Sequence, residues 1–191
     1  MTLCFASNNA HKIAEIQDML GGVFVLKTLH DIGCHDDIAE TADTIKGNSL
    51  LKAQYVWDNY QLDCFADDSG LEVEAIDGAP GVYSARYAGE HGNHAKNNSL
   101  LLHNLNDKNN RRARFKTVIT LIINGQAQQF EGVVKGQIIA TPRGTQGFGY
   151  DPLFLPDGYD RTFAEMDIAE KSQLSHRARA FKQLVAFLQK A

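Results

Sequence analysis

The chain has 191 residues, 43% hydrophobic and 22% charged, with 19 Lys+Arg against 23 Asp+Glu and a formal net charge of −4. That composition excludes a disordered or collagen-like chain and disfavours non-specific nucleic-acid binding. It predicts one domain, residues 1–191, large enough to build a core without staples. No apolar run approaches the roughly 18 residues that span a bilayer, so no membrane association is expected, and the first residues show no signal-peptide pattern. Three cysteines, Cys4, Cys34 and Cys64, form no CxxC pair, and they read as reduced core thiols of a cytoplasmic protein.

The charge is unevenly distributed. Residues 1–80 carry four Lys+Arg against 14 Asp+Glu, a balance of −10, and residues 81–191 carry 15 against nine, a balance of +6. One reading gives metal-binding carboxylates to one half and cations for an anionic ligand to the other. The alternative is that sequence halves are not spatial halves.

Thr2–Ser7 predicts a buried strand. Ile13, Ile16, Met19 and Leu20 then recur at helical spacing as far as Gly21-Gly22. Val23–Leu29 reads as a strand and residues 30–42 as an acidic, irregular stretch. Thr41 is placed to cap a helix running to about Trp57, with Ile45, Leu51 and Tyr55 inward, although Gly47 weakens that helix by about 1 kcal/mol. Cys64–Ala66 predicts a short strand ending in Asp67-Asp68-Ser69-Gly70, and Leu71–Ile76 an edge-type strand. Residues 77–92 form a glycine-containing loop and residues 94–105 a helix. Arg114–Ile123 and Gln128–Ala140 form a hairpin about Asn124-Gly125. A glycine-rich loop, 141–162, contains the apolar run Leu153–Leu155. Leu174, Ala178, Phe181, Leu184, Val185 and Leu188 predict a terminal amphipathic helix. The fold class is α/β, with helices packed against a long, twisted mixed sheet.

Four segments carry chemistry. Ser7-Asn8-Asn9-Ala10-His11-Lys12 is a strand-to-helix turn, where free backbone N–H groups and the helix dipole suit a phosphate. It equally suits an ordinary cap with a solvated lysine. Asp67-Asp68 is an adjacent carboxylate pair whose side chains point to opposite sides of an extended backbone. One can face a metal while the other supports a neighbour, and Glu40 offers a further carboxylate. Few oxygen ligands suit Mg²⁺, which keeps waters and shares phosphate oxygens. Gly147-Phe148-Gly149-Tyr150-Asp151 places two aromatics in a flexible loop, suited to stacking on a base or to plugging into the core. Lys171 and Ser175-His176-Arg177 open the last helix. His176 and Arg177 fall off its apolar stripe, open to a groove or to water, and the arginine fork suits a carbonyl-rich edge.

In this order, SNNAHK, ADDSGLEVEAIDGAPGVYSARYAG, GFGYDPLF and AEKSQLSHRARA closely resemble the inosine triphosphate pyrophosphatase family, over about residues 3–188. The resemblance implies an elongated mixed sheet with flanking helices, in two α/β lobes around a central nucleotide cleft. It implies a homodimer, Mg²⁺ as cofactor, and hydrolysis of ITP, dITP and XTP to the monophosphate and pyrophosphate. By motif, Ser7, Asn8, Asn9, Ala10, His11, Lys12 and Lys52 match phosphate-binding positions. Asp68 matches the metal-binding carboxylate and proton acceptor, and Glu40 a metal ligand of part of the family. Ser69 matches a substrate contact. Phe148, Gly149, Tyr150 and Asp151 match the base-stacking loop, and Lys171, His176 and Arg177 the readers of the base edge. One departure stands out: bacterial relatives typically read TFxENAxxKA where this chain has Thr44 to Ala53, so Gly47 replaces a glutamate while Asn48 and Lys52 remain. A nucleotide sensor without hydrolysis, a phosphatase releasing single phosphates and a single-strand nucleic-acid binder are the competing readings. Asp67-Asp68 beside a phosphate turn argues against the first, the missing DxDx[TV] motif against the second, and the charge against the third.

Overall fold

A computed structural model describes residues 1–190. Its elements are β1 (Thr2–Phe5), α1 (Ala10–Met19), β2 (Val25–Thr28), α2 (Ile45–Tyr60), β3 (Cys64–Val73), α3 (His94–Asn104), β4 (Arg112–Ile123), β5 (Gln126–Ile138), β6 (Phe154–Pro156), α4 (Ile168–Leu174) and α5 (His176–Leu188), with four short 3₁₀ turns between them. Six strands form one sheet in the order β2-β1-β3-β4-β5-β6. β1 runs parallel to both β2 and β3, which are reached through helices, and β6 lies antiparallel to β5. Among the described residues no helix is long and apolar enough to cross a membrane.

The chain divides into two compact units. Among the described residues, one contains 1–68, 117–132 and 177–190; the other contains 69–116 and 133–176. In the first unit the pleat of β1 and β3 sorts side chains onto two faces. Cys4 and Phe5 pair in register with Cys64 and Phe65, and the rings of Phe5 and Phe65 stack at 4.7 Å. On the phenylalanine face lie Ile16 of α1 and Phe181 and Leu184 of α5. On the opposite face Cys4, Ala6, Cys64 and Ala66 pack with Ala53 and Val56 of α2, and Cys34 joins them. All three thiols are buried and free. In the second unit Leu71, Val73, Phe115, Val134, Ile138 and Phe154 of the strands close over Leu101 of α3 and Leu105 at its C-terminal cap, with Phe163 and Leu174.

Several boundaries differ from expectation, for identifiable reasons. The two strands predicted around Asp67-Asp68-Ser69-Gly70 are one ten-residue strand, β3. Asp67 lies in mid-strand with its two carboxylate oxygens bonded by Lys12 and Arg177 of other elements. The cap of α2 is Thr44, whose Oγ1 accepts the Gly47 N–H at 2.9 Å, rather than Thr41. Leu51 is exposed, and the inward face of α2 is Ile45, Asn48, Ser49, Lys52, Ala53 and Val56. Leu155 belongs to a third consecutive strand, β6. The terminal helix is two helices, broken at Ser175, where ψ is 160°.

Candidate active site

The β3 pleat that separates phenylalanines from cysteines also separates the two carboxylates. Asp67, fully buried, continues the Phe65 face and meets α1 and α5. Lys12 Nζ donates to its Oδ1 at 3.0 Å and Arg177 Nε to its Oδ2 at 3.0 Å. Arg177 also donates through Nη1 to Glu15 of α1. Burial alone would raise the Asp67 carboxyl, but Lys12 and Arg177 overcome it and hold the group far below the ordinary carboxylate range. Lys12 is lowered, mainly by burial, although Asp67 opposes the shift. The lysine beyond the Asn9 cap is therefore paired with a buried carboxylate rather than solvated.

Asp68 continues the other face, toward α2. Lys52 Nζ bonds Glu40 Oε1 at 2.5 Å and lies 3.7 Å from Asp68 Oδ1. Burial pushes the Asp68 carboxyl up, with Lys52 and Lys12 opposing. Burial would lower the Lys52 ammonium, but Asp68 and Glu40 more than offset it and raise the group. Asp68 Oδ2 is buried without a hydrogen-bond partner, and so is Asn48 Nδ2. One is an acceptor open to a cation and the other a donor open to a ligand oxygen. Among the described residues no three His, Cys, Asp or Glu side chains are arranged to hold an ion alone. Asp68 with Glu40 thus fits a hard cation that draws its remaining ligands from water and phosphate.

The turn ahead of α1 is ordered by its own side chains. Asn9 Oδ1 accepts the His11 and Lys12 N–H groups at 3.0 and 3.2 Å, and Ser7 Oγ accepts the Asn9 N–H at 3.2 Å. Ser7 is half-buried; Asn8, Ala10 and His11 are exposed. The Asn9 oxygen is therefore a cap, and Lys12, one turn in, directs its ammonium to Asp67.

The second unit gathers the other candidates. Asp151 Oδ2 accepts the Phe148 N–H at 2.9 Å and the Lys171 ammonium at 2.6 Å. Lys171 Nζ lies 5.0 Å from the centre of the Phe148 ring and 5.6 Å from that of Phe163, within cation–π range. Asn98 of α3 donates to the Gly149 carbonyl at 3.1 Å. Phe148, Gly149 and Ser69 are half-buried. His176, 4% exposed, stacks on Phe115 with centroids 4.6 Å apart.

Three expectations change. Tyr150 is a core residue, 4% exposed, its hydroxyl donating to the Ser84 carbonyl at 2.8 Å. Only Phe148 of the two loop aromatics keeps a partly open face. His176 and Arg177 are not open to a groove or to water: they are buried, Arg177 at 1% exposure. Two carboxylates on other elements make a buried guanidinium tolerable, a compensation that helical periodicity does not reveal. Arg177 also groups with Lys12 and Asp67, whereas Lys171 and His176 group with Phe148 and Phe115. Sequence reasoning does not single out Glu15 and Asn48 as site residues. The partner of Glu15 lies 162 positions away, with no local signal, whereas a polar residue at helical spacing from Ile45 and Lys52 marked Asn48.

A model of the Ham1 family matches residues 3–187. A dITP/XTP pyrophosphatase of Flavobacterium psychrophilum is 55% identical over 187 residues, 98% of each chain. The solved structure of the Staphylococcus aureus Ham1 protein superposes with a TM-score of 0.90 at 36% identity, covering 100% of this chain and 99% of that one. A HAM1 protein from Coxiella burnetii gives 0.92 at 37% identity, covering 100% of both.

Proposed function

The chain belongs to the Ham1 family, and from that premise we propose that it hydrolyses the non-standard purine nucleoside triphosphates ITP, dITP and XTP to the monophosphate and pyrophosphate. The observation that carries this reading is the split of two adjacent buried carboxylates to opposite faces of β3, each beside its own lysine. Asp67 fixes Lys12 at the mouth of a turn whose backbone suits phosphate. Asp68 keeps an oxygen open, which a divalent cation, Mg²⁺ in this proposal, would fill together with Glu40.

Mg²⁺, when bound, would neutralise phosphate charge and polarise the bond to be broken. Lys12 and Lys52 supply fixed positive charge where the triphosphate accumulates negative charge, at little reorganisation cost. Asp68, with its carboxyl raised by burial, is suited to receive the proton of the attacking water. Ser7 to His11 and Ser69 orient the phosphates and sugar. Phe148 offers a ring face to the purine, and Lys171, set by Asp151, stands beside that ring as a donor to a 6-oxo group. Adenine presents a 6-amino donor there, and facing unpaired donors costs it about 1–3 kcal/mol. His176 completes the buried wall against Phe115. A cytoplasmic setting accords with three buried free thiols, and the active species is a homodimer.

The test is a panel of nucleoside triphosphates, with and without Mg²⁺, scored for both products. Pyrophosphate from ITP and XTP, dependent on the cation and with ATP poor, is expected. Orthophosphate as the sole inorganic product would replace this reading with a phosphatase. Substrate bound without turnover would replace it with a sensor. Light scattering of the same preparation reads the oligomeric state.

A further inference from the structure

The stretch that carries Glu40 reaches the site without regular structure, so something other than backbone pairing must hold it. Two neighbouring residues of the first turn of α2 do so. A Cβ built on Gly47 would lie 2.6 Å from Ala42 Cβ and 3.0 Å from Thr44 Oγ1, the first of which real carbon pairs do not tolerate. Ala42 therefore rests on the bare Cα of Gly47. The next residue, Asn48, is fully buried, and its Oδ1 accepts the Ala42 N–H at 2.9 Å. Glu40 lies two residues before this clamp and Lys52 one helical turn beyond Asn48, and the two meet at 2.5 Å.

We propose that Gly47 and Asn48 are positioning residues for Glu40: the missing side chain of one and the amide oxygen of the other seat Ala42 on α2, and that seat fixes the Glu40 carboxylate beside Lys52 and Asp68. The proposal rests on the reading of Glu40 and Asp68 as carboxylates that take a divalent cation. A glycine inside a helix is destabilising relative to alanine. Its presence here is accounted for by this close approach, since the residue has ordinary helical backbone. An alanine at 47 improves the helix but lifts Ala42, carrying Glu40 away from Lys52.

The experiment measures Mn²⁺ binding, by water-proton relaxation with the metal alone, in the full chain and in Gly47→Ala, Ala42→Gly, the double variant, Asn48→Ala and Asp68→Asn. Gly47→Ala is expected to weaken Mn²⁺ about tenfold without lowering the melting temperature. Ala42→Gly removes the carbon that would be struck, so it is expected to restore affinity to within about twofold in the double variant and to leave it nearly unchanged alone. Asn48→Ala is expected to weaken Mn²⁺ as well; if it fails to fold, the Gly47–Ala42 cycle decides. Unchanged affinity in Gly47→Ala, or no restoration in the double variant, overturns the positioning role while Asp68→Asn still abolishes binding. Unchanged affinity in Asp68→Asn overturns the metal reading itself, and this proposal with it.

Discussion

Replacing Arg177 by methionine removes the guanidinium that bridges Glu15 and Asp67. Both carboxylates are nine-tenths or more buried. Lys12 remains for Asp67, while Glu15 loses its charge-assisted bond to the guanidinium. Breaking a buried ion pair by removing one partner costs about 3–5 kcal/mol, because the charge left behind stays desolvated. For a chain of this size that corresponds to a melting temperature about 6–20 °C lower. Glu15→Gln in the same background removes the carboxylate that the guanidinium had neutralised, so the double variant should recover part of the loss, with a coupling of at least about 1 kcal/mol. Urea unfolding at pH 7 gives the stabilities. kcat/KM for ITP, XTP and ATP, measured on the folded protein, gives the specificity. If Arg177 orders Asp67 and Lys12, all three substrates decline together, because phosphate carries no information about the base. A stability change below about 1 kcal/mol, combined with an ITP-to-ATP ratio narrowed tenfold or more, would refute the argument and make Arg177 a reader of the base edge.

Asp68→Asn should keep the fold, since the lost charge is one that burial already disfavours, and should lower turnover by far more than tenfold; more than a tenth of the original rate would place the loss below ~1.4 kcal/mol of barrier and remove Asp68 from its role. Phe148→Ala should raise KM for every purine substrate, whereas Tyr150→Phe should leave kinetics unchanged and cost about 1 kcal/mol of stability through the lost bond to Ser84; the reverse pattern would mean that Tyr150 is the stacking ring. Burial pushes the Cys4 and Cys64 thiols from 9.0 up to about 12. Their contribution to stability is therefore complete below pH 9 and is lost as pH rises from 9 towards 12, at up to about 1.4 kcal/mol per unit for each thiol. Urea midpoints at pH 8 and pH 10 should fall more steeply in the native chain than in Cys4→Ala/Cys64→Ala, and parallel slopes would show that other groups govern alkaline unfolding.

The residues alone determined the α/β plan, the hairpin at Asn124-Gly125, the helix beyond Asn9 and the motif order that leads to the Ham1 family. These are local matters of period, turn chemistry and spacing, which need no partner from elsewhere. Asp67-Asp68 was legible as a split pair because the strand pleat guarantees it. What each carboxylate faces was decided only in three dimensions, where Lys12 and Arg177 stand on one side and Lys52 and Glu40 on the other. Arg177 shows the limit most clearly. Off its helix's apolar stripe it reads as exposed, and it is buried because Glu15 and Asp67, far away in the chain, supply the charge that makes burial affordable. Tyr150 shows the converse: nothing in GFGYD separates a stacking ring from a core ring until the Ser84 carbonyl is found within reach of its hydroxyl. A sequence displays each residue's own preference. The cost of burying a charge or a hydroxyl depends on its partner, and the partner is a property of the tertiary structure.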